Sequence, residues 1–269
     1  MRQKHATPTV RRSQYHARAG NLCAAVSASA GSHDDIARSG MALSPYVHGV
    51  TTYRAVLFDW MLTLAHYPTD AEFCRAALEA LERPVEQAVI DAHVTAIEQA
   101  RTAPSIAQQL SFEDVSSDMH RSVNMDVFKV AGFDIDLAES LYGLLGRVDM
   151  HPLYPDAAAT LASIRRSGIQ IAVISDIHVD LRQHAAAFGI SEDVNHWALS
   201  FELGVQKPDP LMFTSAIDAL GVSPSEALMV GDRVSRDGAA ARIGIDTLIL
   251  PTTWKYGTRG LDRVARFVS

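Results

Sequence analysis

Arg54-Ala55-Val56-Leu57-Phe58-Asp59-Trp60-Met61-Leu62-Thr63-Leu64 decides the fold. Its first five residues make a short, mostly apolar run that ends abruptly on an acid, the pattern of a strand buried on both faces of a parallel sheet. Four later stretches repeat this grammar: Ile169 to Ile174, Trp197 to Phe201, Ala227 to Val230 and Thr247 to Leu250. Helical patterns fill the intervals, over Asp156 to Arg166, Asp180 to Phe188, Pro210 to Leu220 and Gly238 to Ile243, and each is followed closely by a glycine. Glycine stops a helix because it takes left-handed backbone without a Cβ clash. Strands alternating with such helices predict an α/β fold, a doubly wound, Rossmann-like parallel sheet of about five strands.

One interval breaks the rhythm. From Thr69 to about Met150 no strand pattern occurs, only helix-like segments at Ala71 to Leu81, Val85 to Ala100, Phe112 to Phe128 and Leu137 to Leu145. Ser111-Phe112-Glu113-Asp114 reads as the capping box of the third. The expected organisation is therefore an α/β core domain over 53–68 and 151–269, with an all-helical cap domain inserted at 69–150. An insertion that enters just after the first strand is placed to cover that strand's C-terminal end, where a lid would sit. Residues 1–52 are rich in Arg, Ala, Ser and Gly and lack apolar periodicity. They read as a disordered tail, or as a start set too far upstream with Met41 nearer the true beginning. Arg11-Arg12 before Leu22 to Val26 resembles a targeting signal only faintly, since the apolar run is short and broken.

Composition narrows the function. A chain of 269 residues, 48% hydrophobic and 20% charged, can bury one sizeable core with an insertion. The first 40 residues hold six of the 24 basic residues and two of the 31 acidic ones, so the remainder is more acidic than the overall −7. That balance, with Lys occurring four times, argues against nucleic acid as a partner, because counterion release needs clustered cations. Two cysteines, Cys23 and Cys74, make neither a disulfide framework nor a metal knuckle, which suits a reducing, cytoplasmic compartment. No apolar stretch approaches the roughly 18 residues of a membrane span. Composition leaves the oligomeric state open.

Ligands of open parallel sheets bind at the carboxyl ends of the strands, where the strand order reverses. With the order 3-2-1-4-5, Asp59, Ser175 and Asp232 end adjacent strands and Lys207 follows a fourth, so residues distant in sequence converge. Asp232 and Asp237 bracket a tight turn after Gly231, an arrangement of carboxylates that can meet a hard cation. A carboxylate such as Asp59 approaches an anionic phosphate only if the repulsion is screened, and one divalent cation plus one ammonium supplies that screening.

Leu57-Phe58-Asp59-x-x-x-Thr63-Leu64 and Val230-Gly231-Asp232-Arg233-Val234-Ser235-Arg236-Asp237, followed by Ala240-Ala241-Arg242-x-Gly244, resemble the haloacid dehalogenase superfamily. The resemblance runs from roughly Tyr53 to Leu250 and places a helical cap between the first and second motifs. It implies an Mg²⁺-dependent hydrolase acting on a small phosphorylated metabolite. Asp59 would be the nucleophile that forms an aspartyl-phosphate, and Ser175 would bind a phosphoryl oxygen. Lys207 would neutralise both nucleophile and phosphoryl group. Asp59 and Asp232 would bind the metal directly, Asp237 would hold it through water, and the backbone carbonyl of Met61 would complete the shell.

The chain departs from that pattern at two adjacent positions. Phosphatases of the superfamily carry Asp-x-Asp-Gly-Thr, and here Met61 and Leu62 replace the second Asp and the Gly. That Asp protonates the leaving oxygen and then activates water, help worth about 10² to 10⁴ in rate. Either another group such as His66 supplies the acid, or the leaving group needs little protonation, as in an acyl phosphate, or the protein binds a phosphorylated ligand with little turnover. Phosphonoacetaldehyde hydrolases resemble the chain at Phe58-Asp59-Trp60 but need a Schiff-base lysine, and Lys129, the only one in the cap, falls late for that role. Dehalogenases have an aromatic at position 61 and do not use the metal pair, so Asp232 and Asp237 favour Mg²⁺. Trp60, Met61 and Leu62 are expected to pack under the cap. His178 and His184, six apart, are off helical register for a shared metal, and Glu226 and Arg233 read as solvated or locally paired charges.

Overall fold

Five short strands, apolar towards both faces, build the sheet. In the computed structural model, which describes residues 52–251 and 257–269, they are β1 (Ala55–Phe58), β2 (Gln170–Ser175), β3 (His196–Leu199), β4 (Ala227–Gly231) and β5 (Asp246–Ile249). All neighbours are parallel and the order is β3-β2-β1-β4-β5, as the sequence predicts. The expected tail over 1–52 lies, but for Thr52, outside the described residues.

Side-chain alternation sends each strand's residues to two cores. Val56, Phe58, Val173 and Val230 meet α6 (Ala157–Arg166), α7 (Leu181–Ala187) and α10 (Asp262–Val268) on one face. Leu57, Ala172, Ile174 and Met229 meet α9 (Pro210–Leu220) and a 3-10 segment, Asp237–Ile243, on the other. Both faces are thus covered, the arrangement that suits continuous apolar strands. A short helix, α8 (Ser200–Leu203), follows β3 directly, so the strand expected to reach Phe201 ends at Leu199. Phe58 pairs with Val173 on one side and Val230 on the other, so β2 runs two residues and β4 one residue past the end of β1.

Residues 70–150 contain only helical elements among those described: α1 (Asp70–Ala80), α2 (Gln87–Thr102), α3 (Pro104–Ala107), α4 (Ser117–Val130) and α5 (Ile135–Leu144), with 3-10 segments at Gln109–Val115 and Val148–Met150. Phe73, Ile90, Ile97, Val127 and Leu141 bury their side chains in a core of their own there. Thr69 starts α1 with a capping box, its N–H donating to Glu72 Oε2 at 2.7 Å. The helix expected from Phe112 to Phe128 is broken. Phe112 has non-helical backbone (φ −142°, ψ 29°), and Ser116, extended, caps α4 by accepting the Met119 N–H at 3.1 Å. The capping role read at Ser111 therefore falls to Ser116. The reason is long-range: Gln206 Oε1 accepts the Asp114 N–H at 3.3 Å and Ser200 Oγ donates to the Asp114 carbonyl at 2.6 Å. These bonds hold Asp114 against the sheet domain.

Trp60 departs from expectation too. It is fully buried in the sheet core, its ring 6.0 Å from Trp197 and edge-on to His184 at 6.4 Å, rather than under the helices.

Candidate active site

The neighbouring carboxyl ends of β1, β2 and β4 bring the predicted residues to one place. Asp59 follows β1 with its N–H donating to Val230 O at 2.9 Å, and its carboxylate is held at both oxygens. Lys207 Nζ donates to Oδ1 at 2.6 Å and Thr63 Oγ1 donates to Oδ2 at 3.0 Å. The same ammonium donates to Asp237 Oδ1 at 2.7 Å and to the Ile174 carbonyl at 3.2 Å, so a buried cation has three acceptors. Those contacts offset its burial, which would otherwise be costly.

Asp237 is fully buried and receives the N–H groups of Asp232 (3.1 Å) and Arg233 (2.9 Å) at its other oxygen. Gly231 makes room for this: a Cβ there would lie 2.3 Å from the Asp237 carboxyl carbon. Asp59, Asp232 and Asp237 each offer an oxygen, all within 4.8 Å of one another. An all-carboxylate donor set of this spacing fits Mg²⁺, which prefers oxygen ligands.

With one ammonium among three carboxylates the cluster carries excess negative charge. Burial pushes the Asp59 carboxyl up to about 7 against the pull of Lys207, and Asp237 adds to the rise. Burial also raises Asp232 above the usual carboxylate range. Burial works against the Lys207 ammonium, yet Asp59, Asp237 and Asp176 together keep it above the ordinary lysine value. A divalent cation beside these acids would relieve the imbalance.

A cleft of about 580 Å³ opens over Asp59, Lys207 and Asp232. Met61, Leu62, Asp176, His178, Arg233 and Arg236 continue its wall on the sheet side, and Leu110, Glu113, Asp114, His120 and Leu145 close it from the helical side. Arg233 thus borders the cleft rather than serving only as a solvated charge, whereas Glu226 is paired locally with Arg54 at 3.3 Å. Ser175 ends β2 beside this floor, but its hydroxyl is buried, has no hydrogen-bond partner and does not line the cleft. His66 lines a separate cavity of about 420 Å³, with its ring 5.8 Å from that of Tyr154, and is not on the cleft wall. Lys129 is exposed on α4 and is likewise absent from the wall.

Several supporting residues escaped the sequence reading. Asp176 accepts the Lys207 N–H at 2.7 Å and the Arg236 guanidinium at 3.2 Å, while Arg236 also donates to the Lys207 carbonyl at 2.6 Å. This pair fixes the backbone that carries the lysine. Leu62 has φ +60°, left-handed backbone that is uncommon for a branched residue. Arg259 donates to the Leu62 carbonyl at 2.7 Å and to Leu250 O at 3.3 Å, and so braces that turn from the far end of the chain. Asp156 in turn accepts the backbone N–H groups of Arg259, Gly260 and Leu261 at 2.7–2.8 Å. An acid at a strand end was a visible signal for Asp176, but nothing local marks Arg259.

Burial pushes the Asp114 carboxyl up to about 7, with Glu113 and Asp176 adding to the rise against Arg236 and Arg233. Asp114 is thus a cleft carboxyl, contributed by the helical segment, whose charged form is disfavoured by burial.

A family model for haloacid dehalogenase-like hydrolases matches residues 53–244. Two curated proteins are similar over part of their length. A phosphoserine phosphatase of Thermus thermophilus is 38% identical over 40% of this chain and 43% of its own. A glyceraldehyde 3-phosphate phosphatase of Methanopyrus kandleri is 38% identical over 35% of this chain and 42% of its own. The matched part thus spans less than half of these relatives. Among solved structures, a 2-haloacid dehalogenase from Pseudomonas syringae superposes with a TM-score of 0.56 at 24% identity, over 81% of this chain and 98% of that one. At that identity it speaks for the fold alone.

Proposed function

Because the chain belongs to the haloacid dehalogenase-like hydrolases, we propose that it is an Mg²⁺-dependent phosphatase of a small phosphorylated metabolite, working through a phosphoryl group carried on Asp59. The observation that carries this reading is the Asp59 carboxylate, gripped by Lys207 and Thr63 on the floor of the cleft with Asp232 and Asp237 alongside.

Thr63 and Lys207 orient the Asp59 carboxylate. One of its oxygens attacks phosphorus, the bond to the leaving oxygen breaks, and water then cleaves the aspartyl-phosphate to release inorganic phosphate. Lys207 offsets the charge brought by the phosphoryl group, and Ser175, whose unpartnered hydroxyl lies buried at the end of β2 and off the cleft wall, would donate to a phosphoryl oxygen only after turning towards the cleft. Asp59, Asp232 and the Met61 carbonyl would hold Mg²⁺, with Asp237 behind them. When bound, the ion supplies charge stabilisation at the phosphoryl oxygens. The helical segment over 69–150 acts as a cap that excludes bulky substrates, and the enzyme works in the cytoplasm.

Met61 favours a second reading, a phosphate-ligand-binding protein with slow turnover. It borders the cleft where a carboxylate would serve as general acid. A screen of phosphorylated metabolites with and without Mg²⁺, on wild type and Asp59→Asn, tests the first reading. Phosphate release that disappears in Asp59→Asn and on chelation is expected. Binding of the same compounds without release in wild type would favour the second reading.

A further inference from the structure

We propose that Asp114, His120 and His178 form a second metal site, separate from the three-aspartate cluster, that takes Zn²⁺ and ties the helical segment to the sheet domain at the cleft wall. Each of the three offers one ligand atom, and these atoms lie within 4.8 Å of one another. The site stands whether or not Asp59 turns over phosphate.

The ligands come from three elements. Asp114 lies in the 3-10 segment before α4, His120 on the first turn of α4, and His178 on the loop after β2. Sequence spacing could not reveal the set, because His178 stands 58 or more residues from the other two. Their backbones are fixed across the same boundary. Gln206 and Ser200 hold Asp114, and Ser117 Oγ donates to the His178 carbonyl at 2.7 Å. A site needs ligands so held by neighbours that do not themselves bind the ion.

Donor chemistry selects the ion. Two imidazole nitrogens and one carboxylate oxygen suit a borderline cation rather than Mg²⁺, which prefers oxygen alone. Imidazole is ordinarily mostly neutral at physiological pH, so both rings can offer a lone pair. His120 Nδ1 faces the Tyr142 hydroxyl at 3.3 Å, which leaves Nε2 for the ion. The two rings are stacked, 3.5 Å apart and within 3° of parallel. Coordination at about 2 Å from each nitrogen therefore turns both rings about their Cβ–Cγ bonds until their lone pairs converge. All three residues line the cleft, so the fourth position of a tetrahedral ion opens to water or to a ligand.

The test uses the full-length protein, stripped of metal and held in excess Mg²⁺ to fill the aspartate cluster. Zn²⁺ is titrated against a chromogenic chelator, and thermal unfolding is followed in parallel. The proposal expects one equivalent of Zn²⁺ to bind to wild type and to Asp232→Asn. Binding should weaken about tenfold or more in His120→Ala, His178→Ala and Asp114→Asn. Zn²⁺ should raise the melting temperature of wild type but not of His178→Ala. If a histidine variant does not fold, as judged by circular dichroism, Asp114→Asn decides in its place. Wild type that binds no Zn²⁺, or binding lost in Asp232→Asn and kept in His178→Ala and Asp114→Asn, overturns the proposal.

Discussion

Met61 and Asp59 show how much chemistry one position can withhold. The Asp59 carboxylate is oriented by Lys207 and Thr63 as a nucleophile needs, yet its neighbour two residues on is a thioether that can neither give nor take a proton. Met61→Asp should therefore raise kcat by about 10² for a substrate with a poor leaving group and much less for an acyl phosphate. Steady-state phosphate release on both kinds of compound measures this, and equal, unchanged rates would rule out a missing acid. Asp59 and Asp232 could be read from the sequence because each closes an apolar strand at the end where open sheets bind ligands, and Asp237 because it brackets the turn that follows. Asp176, although it follows an apolar strand, and Arg236 were missed because their task is to fix the Lys207 backbone, and a bond to another residue's main chain leaves no mark in the local sequence. Arg259 was missed for a similar reason: its partners are carbonyls, which every residue has.

Elements bounded by continuous apolar runs were legible, and elements set by long-range bonds were not. The parallel sheet followed from five such runs, and the order supposed for it, 3-2-1-4-5, is the one observed. The break at Ser116 did not, because Gln206 and Ser200 hold Asp114, two residues before the extended Ser116, from far along the chain. The turn after β4 is the most tightly specified element. Asp237 folds back beneath Gly231 and receives two backbone N–H groups there. Gly231→Ala would push a methyl group into that carboxylate. We expect a stability loss of about 1–3 kcal/mol in urea unfolding, as for other overpacked sites. Half-maximal activity should also require more Mg²⁺, since Asp237 can no longer stand behind Asp232. An unchanged Mg²⁺ requirement would show that Asp237 takes no part in holding the ion.

Across the molecule, two buried histidines make stability depend on pH. His151 closes the helical segment and packs against Tyr67 and Phe73, while His184 on α7 lies between His151 and Trp60. Burial lowers both below the ordinary histidine value of 6.5, most of all against the weaker opposing pull of Arg147 O on His151 and Asp180 on His184; His184 and His66 further depress His151 and Asp149 raises it. Through these two groups the unfolded chain binds more protons than the folded one below pH 6.5, so their contribution to stability falls as the pH drops, against the raised carboxyls of Asp59 and Asp114, which act in the opposite sense. The slope is at most about 1.4 kcal/mol per pH unit for each group. Melting temperatures between pH 7 and pH 5 should decline less steeply in His184→Leu than in wild type, and parallel curves would clear His184 of the effect. At this scale the turn at Leu62 matters again. The guanidinium that braces it belongs to a residue 197 positions downstream. Because β1 pairs with β2 and β4, neither it nor the turn after Asp59 can be set on a nascent chain until those later segments, and finally Arg259, have been translated.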